Sequence, residues 1–516
     1  MIKNFILLAM STLSLYNDEN TGKKILPKFE YINDETDTEP KEYYSQLEPV
    51  TRRIISKSIP DQIDQIIVLC TKESMQKETF YLEDDLEDEL SFSAFDLYKH
   101  RISKLLPENK RDIFSSVDID TSNINVGIIN AANLIINKKA EIEKALGKKN
   151  EIEIKLWIDT QGGFRDISLV MNAIMNLLKM QKISIGGIYS VQFNRTMNPE
   201  SVIKEQTENY SIFNFVSGMN EFIMYGRAEQ LLHYYTDNSY KCPDAIMNIV
   251  KAMRNVADSI QMCDPKGFLC YLTRLRGAIS DYERQEAINS QELFTVFINE
   301  VKNDYGVLLS NEECANIDII DWFHRKQFYQ QALTFIESKI PLELCGKKLI
   351  NFEYNKENIS KFKKIDKKKY EDDENYLLFQ FVFMKYVPNN IVHRIFSQQG
   401  DSHEIIIEEI LKICDNMRFL CNNERTENTF EKEKEVFIGK IVYSDKLKMV
   451  LNEVIMDDIN LFRCFLFLFS ALKKERNNFN HMSDKEGNRA TKGELDKAIL
   501  TFIELGRRLY KLIKKD

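Results

Sequence analysis

An α/β domain with a parallel sheet, followed by an all-α domain, is the fold class this sequence predicts. Three observations predict it. Short apolar runs alternate with 3.6-periodic segments up to about residue 205, and beyond that point the text is helical almost throughout. Gly (18) and Pro (10) are scarce for 516 residues, which disfavours a many-turned β-protein. A chain this long exceeds what one core usually supports, so it divides into 1–205 and 206–516, with 350–435 set apart as a candidate insertion.

In chain order, Phe5 to Met10 is a continuous apolar run, as in a strand covered on both faces. Segments 66–70, 152–158 and 183–191 repeat that signal, and helical periodicity marks 43–57, 92–106 and 167–179 between them. Strand–helix–strand repeats imply a parallel sheet with helices on both faces. Ligands bind such sheets at the carboxyl ends of the strands. Ser11, Thr12, Thr71, the stretch Thr160-Gln161-Gly162-Gly163 to Arg165, Gln192 and Asn194 all follow strands and would gather on that edge. Gly162-Gly163 either lets the backbone approach a ligand or simply makes a tight turn; without a full GxGxxG, a nicotinamide cofactor is not favoured. Helices follow at 213–235, 243–262, 282–302, 321–338, 376–386, 404–420 and 446–480, with the charged segment 356–375 looping out. The acidic run 83–89 reads as a solvated loop and not as a metal site.

Net charge is −9, so any nucleic-acid contact needs a local basic patch: Lys473, Lys474 and Arg476, or Arg507, Arg508, Lys511, Lys514 and Lys515. Nine cysteines without a CxxC, and six scattered histidines, suit reduced thiols in a cytoplasmic protein and no metal or other cofactor. The apolar start of the chain is short and lacks a cleavage pattern, so it reads as a buried strand and not as a signal peptide. The run 459–472 is too short to span a bilayer and carries Arg463, so no membrane segment is expected.

That run leads into Lys473-Lys474-Glu475-Arg476-Asn477-Asn478-Phe479-Asn480-His481. On a helix Phe465, Phe469, Leu472 and Arg476 form one stripe, which makes Arg476 the extension of a buried or interface face. Asn477 and His481 share the neighbouring stripe. A lone cation there would be a solvated helix end, but three asparagines in one turn are poor choices for a helix built only for stability. Arginine grips a phosphate with two N–H groups and histidine moves a proton near neutral pH, which together suffice to cut RNA without a metal.

Three passages resemble the CRISPR-associated ribonucleases of type III systems that pair a CARF sensor with a HEPN nuclease. Trp157 to Arg165 resembles the ligand loop of the sensor. The helix carrying Gln330-Gln331-Ala332-Leu333-Thr334, and the Arg476-x4-His481 pattern, are similar to parts of the nuclease domain. Ser11-Thr12-Leu13-Ser14 departs from the Gly-Thr often found after the first strand. The resemblance implies a Rossmann-like CARF domain, then an all-α HEPN domain acting as a homodimer on single-stranded RNA. The activator it implies is a cyclic tetra- or hexa-adenylate, with Thr160, Gln161, Gly162, Gly163, Arg165, Ser11 and Thr12 around it. Thr71, Gln192 and Asn194 join them from strand-end geometry alone. Arg476 and His481 are then catalytic, with Asn477 orienting them. No distinctive group marks the sensor pocket for degrading its activator. The alternatives are an adaptor whose helical domain only dimerises, and a transcription regulator; the latter is disfavoured by the absence of a basic recognition helix.

Overall fold

The structure is a computed structural model that describes residues 1–32, 41–44, 48–57, 63–147, 151–163, 166–179, 181, 183–193, 201–237, 242–286, 292–310, 314–354, 390–397, 403–420, 437–438, 441–444, 447–480 and 490–513. The chain divides into two compact units, Met1–Phe213 and Asn214–Asp516.

In the first unit six strands form the central sheet: β1 (Ile2–Ala9), β2 (Ile63–Cys70), β3 (Phe114–Asp118), β4 (Glu153–Asp159), β5 (Ile183–Phe193) and β6 (Ser201–Glu205). Their spatial order is β6-β5-β4-β1-β2-β3; β1 to β5 run parallel and β6 is an antiparallel edge. The order reverses at β1 and β4, the switch point at which such sheets open a crevice. Side chains along β1 alternate between two cores. Phe5, Leu7 and Ala9 pack with α3 (Ile124–Leu146) and α4 (Ile167–Lys179). Ile6, Leu8 and Met10 pack with α1 (Glu48–Lys57) and α2 (Ala94–Ser103). Burial on both faces is why this strand carries no polar alternation.

Four of the strands and α4 lie where the periodicity puts them. The 23-residue α3 carries no expectation, nor do β3 and β6. The helix expected from residue 43 begins only at Glu48: Tyr43 instead ends a short strand, Lys41–Tyr43, that pairs with Phe29–Tyr31. The acidic run is not a loop: after the turn at Glu83 and Asp84, residues Asp85–Phe92 pair antiparallel with Glu78–Leu82, and Glu87, Asp88 and Glu89 stay exposed.

The second unit is helix-rich: α5 (Thr207–Tyr225, within which the division falls), α6 (Glu229–Asp237), α7 (Asp244–Gln261), α8 (Pro265–Glu286), α9 (Glu292–Tyr305), α10 (Asn316–Arg325), α11 (Tyr329–Gly346), α12 (Ile391–Phe396), α13 (His403–Leu420), α14 (Glu453–Met456), α15 (Ile459–Asn480) and α16 (Lys492–Ile513). It is not all-α. Strands β7 (Ile350–Tyr354), β8 (Phe437–Ile438), β9 (Ile441–Ser444) and β10 (Leu447–Leu451) form an antiparallel sheet in the order β7-β10-β9-β8. The helix expected over 446–480 therefore begins late. Leu447–Leu451 pairs as a strand, and Asn452 caps α14 by accepting from Val454 N at 3.1 Å. β7 and β10 pair Ile350 with Leu451, so the start of the supposed insertion is tied into this sheet. Segment 356–375 and the helix expected at 376–386 lie outside the described residues.

Other long helical expectations divide. The 213–235 segment breaks at Gly226, which adopts φ +58°. The 321–338 segment breaks at Gln327, φ +59°, and Asp496 of α16 then holds both sides of the break, through His324 at 2.9 Å and Tyr329 at 2.8 Å. Among the described residues no helix is long and apolar enough to cross a membrane, and no group of three or more His, Cys, Asp or Glu is placed to hold a metal ion.

Candidate functional site

The first site is the carboxyl edge of the central sheet. Parallel register sets Leu8 beside Asp159, Asp159 beside Tyr189, and Ala9 beside Leu69, so the loops after β1, β2 and β4 emerge on one edge. Ser11 Oγ accepts a hydrogen bond from Gly163 N at 3.0 Å, which joins the loops after β1 and β4 at the switch point. Gly163 has φ +94°, and a Cβ there would lie 2.8 Å from the Ala9 side chain, so this position needs glycine for both torsion and space. Thr160 donates from N and Oγ1 to Tyr189 O, at 2.9 and 3.1 Å, and fastens the loop to β5. Thr71 closes its own turn with Ser74: Thr71 N donates to Ser74 Oγ at 3.0 Å, and that hydroxyl donates to Thr71 O at 2.9 Å. Thr12 is exposed and Gly162 buried. Arg165, Asn194 and the Gln192 side chain lie outside the described residues.

Asp159, which carried no role in the reading of the sequence, is the most unusual group here. It is 0% exposed, and burial pushes its carboxyl up to about 7, against a smaller pull from Gln161 N, which donates to Oδ1 at 2.9 Å. Its Oδ2 and Gln161 Oε1 are buried without a hydrogen-bond partner among the described residues. Tyr31 lies against Gln161, its phenol pushed up to about 12 by burial. The signal in the sequence was a carboxylate ending a strand whose buried face is Ile154, Leu156 and Ile158.

The second site is in the other unit. The stripe Phe465, Phe469, Leu472 is buried as expected, with Phe465 stacked on Phe502 of α16 at 4.5 Å. One turn on, Arg476 Nη1 lies 2.6 Å from Glu337 Oε2 of α11. Glu337 Oε1 lies 3.2 Å from Lys473 Nζ. Lys473 is therefore no part of an exposed basic patch: it is 3% exposed, and burial pushes its ammonium down to about 8 although Glu337 opposes the shift. Only Lys474 and Arg476 of that trio reach solvent, each half-buried. The second supposed patch is partly neutralised, since Arg507 pairs with Asp321 at 3.1 Å, and Lys514 and Lys515 lie outside the described residues.

Glu475 turns the other way from this trio. It is buried, its carboxyl is raised by burial, and it accepts from Ala490 N at 3.4 Å. Asn477 is half-buried on the stripe beside Arg476; His481 lies outside the described residues. Cys263, whose thiol is raised by burial and lowered by Arg476, lines a small cleft with Gln331 and Thr334 of α11. Chemically, the arrangement offers a fixed guanidinium and a buried ammonium around one carboxylate. Comparison with protein-family models gives no match, and comparison with curated proteins gives none either.

Proposed function

We propose that this protein is an endoribonuclease, activated by a cyclic oligoadenylate, that cleaves single-stranded RNA without a metal in type III CRISPR antiviral defence. On this reading the first unit is a CARF sensor and the second contains a HEPN nuclease. The 2.6 Å contact between Arg476 and Glu337 carries the reading. It joins the helix of Gln330 to Thr334 with the helix of Arg476, two passages far apart in sequence that each resemble the same nuclease domain. Support from the first unit is the Ser11–Gly163 junction at the switch point, where open α/β sheets take ligands.

RNA carries its own nucleophile, the 2′-hydroxyl beside each phosphodiester. Its attack on phosphorus forms a 2′,3′-cyclic phosphate and expels the 5′-oxygen, so one proton leaves the nucleophile and another reaches the leaving group. His481 is the residue that moves protons, and Arg476 holds the phosphate as negative charge grows on it. The activator acts by binding one state of the sensor better than another. The deciding experiment incubates the purified protein with a fluorescent RNA reporter, EDTA, and cyclic tetra- or hexa-adenylate. Cleavage with one ring and not without it is expected; no cleavage with either ring refutes the reading.

The reading calls for a homodimer, and one surface supports it. Residues 124–137 of α3 and 167–178 of α4 contain no charged side chain, in a chain that is 29% charged. Val126, Ile129, Leu169 and Leu177 are exposed there, Leu169 by 71%. Depletion of charge marks interface cores. Leu169→Asp is expected to convert the dimer to a monomer by light scattering and to remove ligand-stimulated cleavage, with the circular dichroism unchanged. A variant that remains dimeric removes this face from the account. The adaptor reading has one observation in its favour: Glu337 occupies Arg476 as a structural ion pair would. An adaptor would bind the ring and dimerise, yet leave the reporter intact.

A further inference from the structure

We propose that Lys473, Glu337 and Arg476 act as one unit, in which Glu337 is a positioning residue for the Arg476 guanidinium and Lys473 supplies the positive charge that Glu337 cancels. The inference rests on the nuclease reading and deepens it, by stating how that site holds a phosphodiester.

Geometry is the first support. Glu337 offers one oxygen to each cation, at 2.6 Å to Arg476 and 3.2 Å to Lys473, so a single carboxylate bridges two cations one helical turn apart. Burial is the second: the side chains of Lys473, Glu337 and Arg476 are 3%, 12% and 27% exposed, which holds the trio in place and keeps its charges largely unscreened. The third is a spare donor: Arg476 Nε is buried without an acceptor among the described residues.

A carboxylate this close fixes the plane of the guanidinium but offsets its charge. The Arg476–Glu337 pair alone would be neutral and would attract a phosphodiester weakly. With Lys473 the trio keeps one net positive charge, the sign that an RNA backbone requires. A lysine placed here only for stability is a poor choice. Buried ion pairs seldom offset the desolvation of both partners, and the same stripe is elsewhere filled by Phe and Leu.

Steady-state cleavage of the RNA reporter at saturating activator tests the assignment in Glu337→Gln, Lys473→Met and the double variant. The glutamine amide keeps the size of the side chain but grips the guanidinium less firmly. E337Q is expected to lower kcat by about tenfold or more while leaving KM for RNA unchanged or lower. K473M is expected to raise KM by about tenfold and to leave kcat within about threefold of wild type. The double variant restores the net charge, so KM returns to the wild-type value while kcat stays at the E337Q level. E337Q with wild-type or higher kcat overturns the proposal, as does a double variant whose KM stays with K473M. If E337Q fails to fold because a buried lysine loses its counter-charge, the double variant, which removes both, decides by the same criteria. A wild type that cleaves nothing refutes the nuclease reading and this inference with it. An active wild type matched by E337Q refutes the inference alone.

Discussion

Arg476→Ala is expected to lower ligand-stimulated RNA cleavage by about 10²–10³ in kcat, the usual effect of deleting one preorganised donor to a charged transition state. The fold should survive. Glu337 keeps Lys473 at 3.2 Å, so the substitution leaves no buried carboxylate without a cation, and the Phe465–Phe469–Leu472 stripe is untouched. His481→Ala is expected to match it, through loss of proton transfer, an effect of about 10²–10⁴. Single-turnover cleavage with EDTA present, beside a thermal melt of each variant, makes the check. Full activity in folded R476A would remove Arg476 from the chemistry and leave the Glu337 pair as a structural contact.

Asp159→Asn is expected to have the largest effect on stability, and one that depends on pH. The folded-state carboxyl titrates near 7, against an ordinary value of 3.8, because the group is fully buried. Between about pH 4 and pH 7 the folded protein holds a proton that the unfolded chain releases, so stability falls as pH rises through that window. Above it, the buried charge costs about 4 kcal/mol, the shift converted at about 1.4 kcal/mol per unit. The asparagine amide cannot ionise, so between pH 5 and pH 8 the variant should gain on the wild type by about 2.7 kcal/mol, the two pK units that remain above pH 5, or roughly 5–10 °C in the melting of a unit this size. Glu343 and Glu475 also titrate high through burial, but both proteins share them, so the difference between the two profiles isolates Asp159. Parallel profiles would show that the carboxyl is solvated or partnered in solution. If the ligand loop takes an N–H donor onto Asp159, activator binding should flatten the same slope.

The pattern-legible parts of the fold are those whose burial is set by local repetition. β1 is buried on both faces and reads as an unbroken apolar run; α4 has six buried residues spaced at three and four, and its limits coincide with the expected ones. Leu447–Leu451 was read as helix although one of its partners, Ile441–Ser444, is close in sequence; its other edge is paired by Ile350–Tyr354, which no local window contains. The break at Gln327 likewise depends on Asp496, which ties His324 and Tyr329 across it from another helix. At the second site the stripe ending in Arg476 was visible, and its neighbour Lys473 was misread. A Lys-Lys-Glu-Arg run normally means hydration, and only Glu337 on α11 reverses that for Lys473. Asp159 lay inside the passage that resembles the ligand loop but was given no role, for a related reason: its isolation comes from covering by Tyr31 and Gln161, neither of which marks a carboxylate as buried.

The place of β1 at the centre of its sheet has a consequence for biosynthesis. Its two neighbours are β2 and β4, and Ile2 aligns with Glu153. The ribosome therefore releases Phe5 to Met10 long before the strand that covers its other edge exists. At about 5–20 residues per second, the wait is roughly 8–30 s. During that time an apolar segment keeps one edge unpaired, and association with other chains competes with folding until β4 is made.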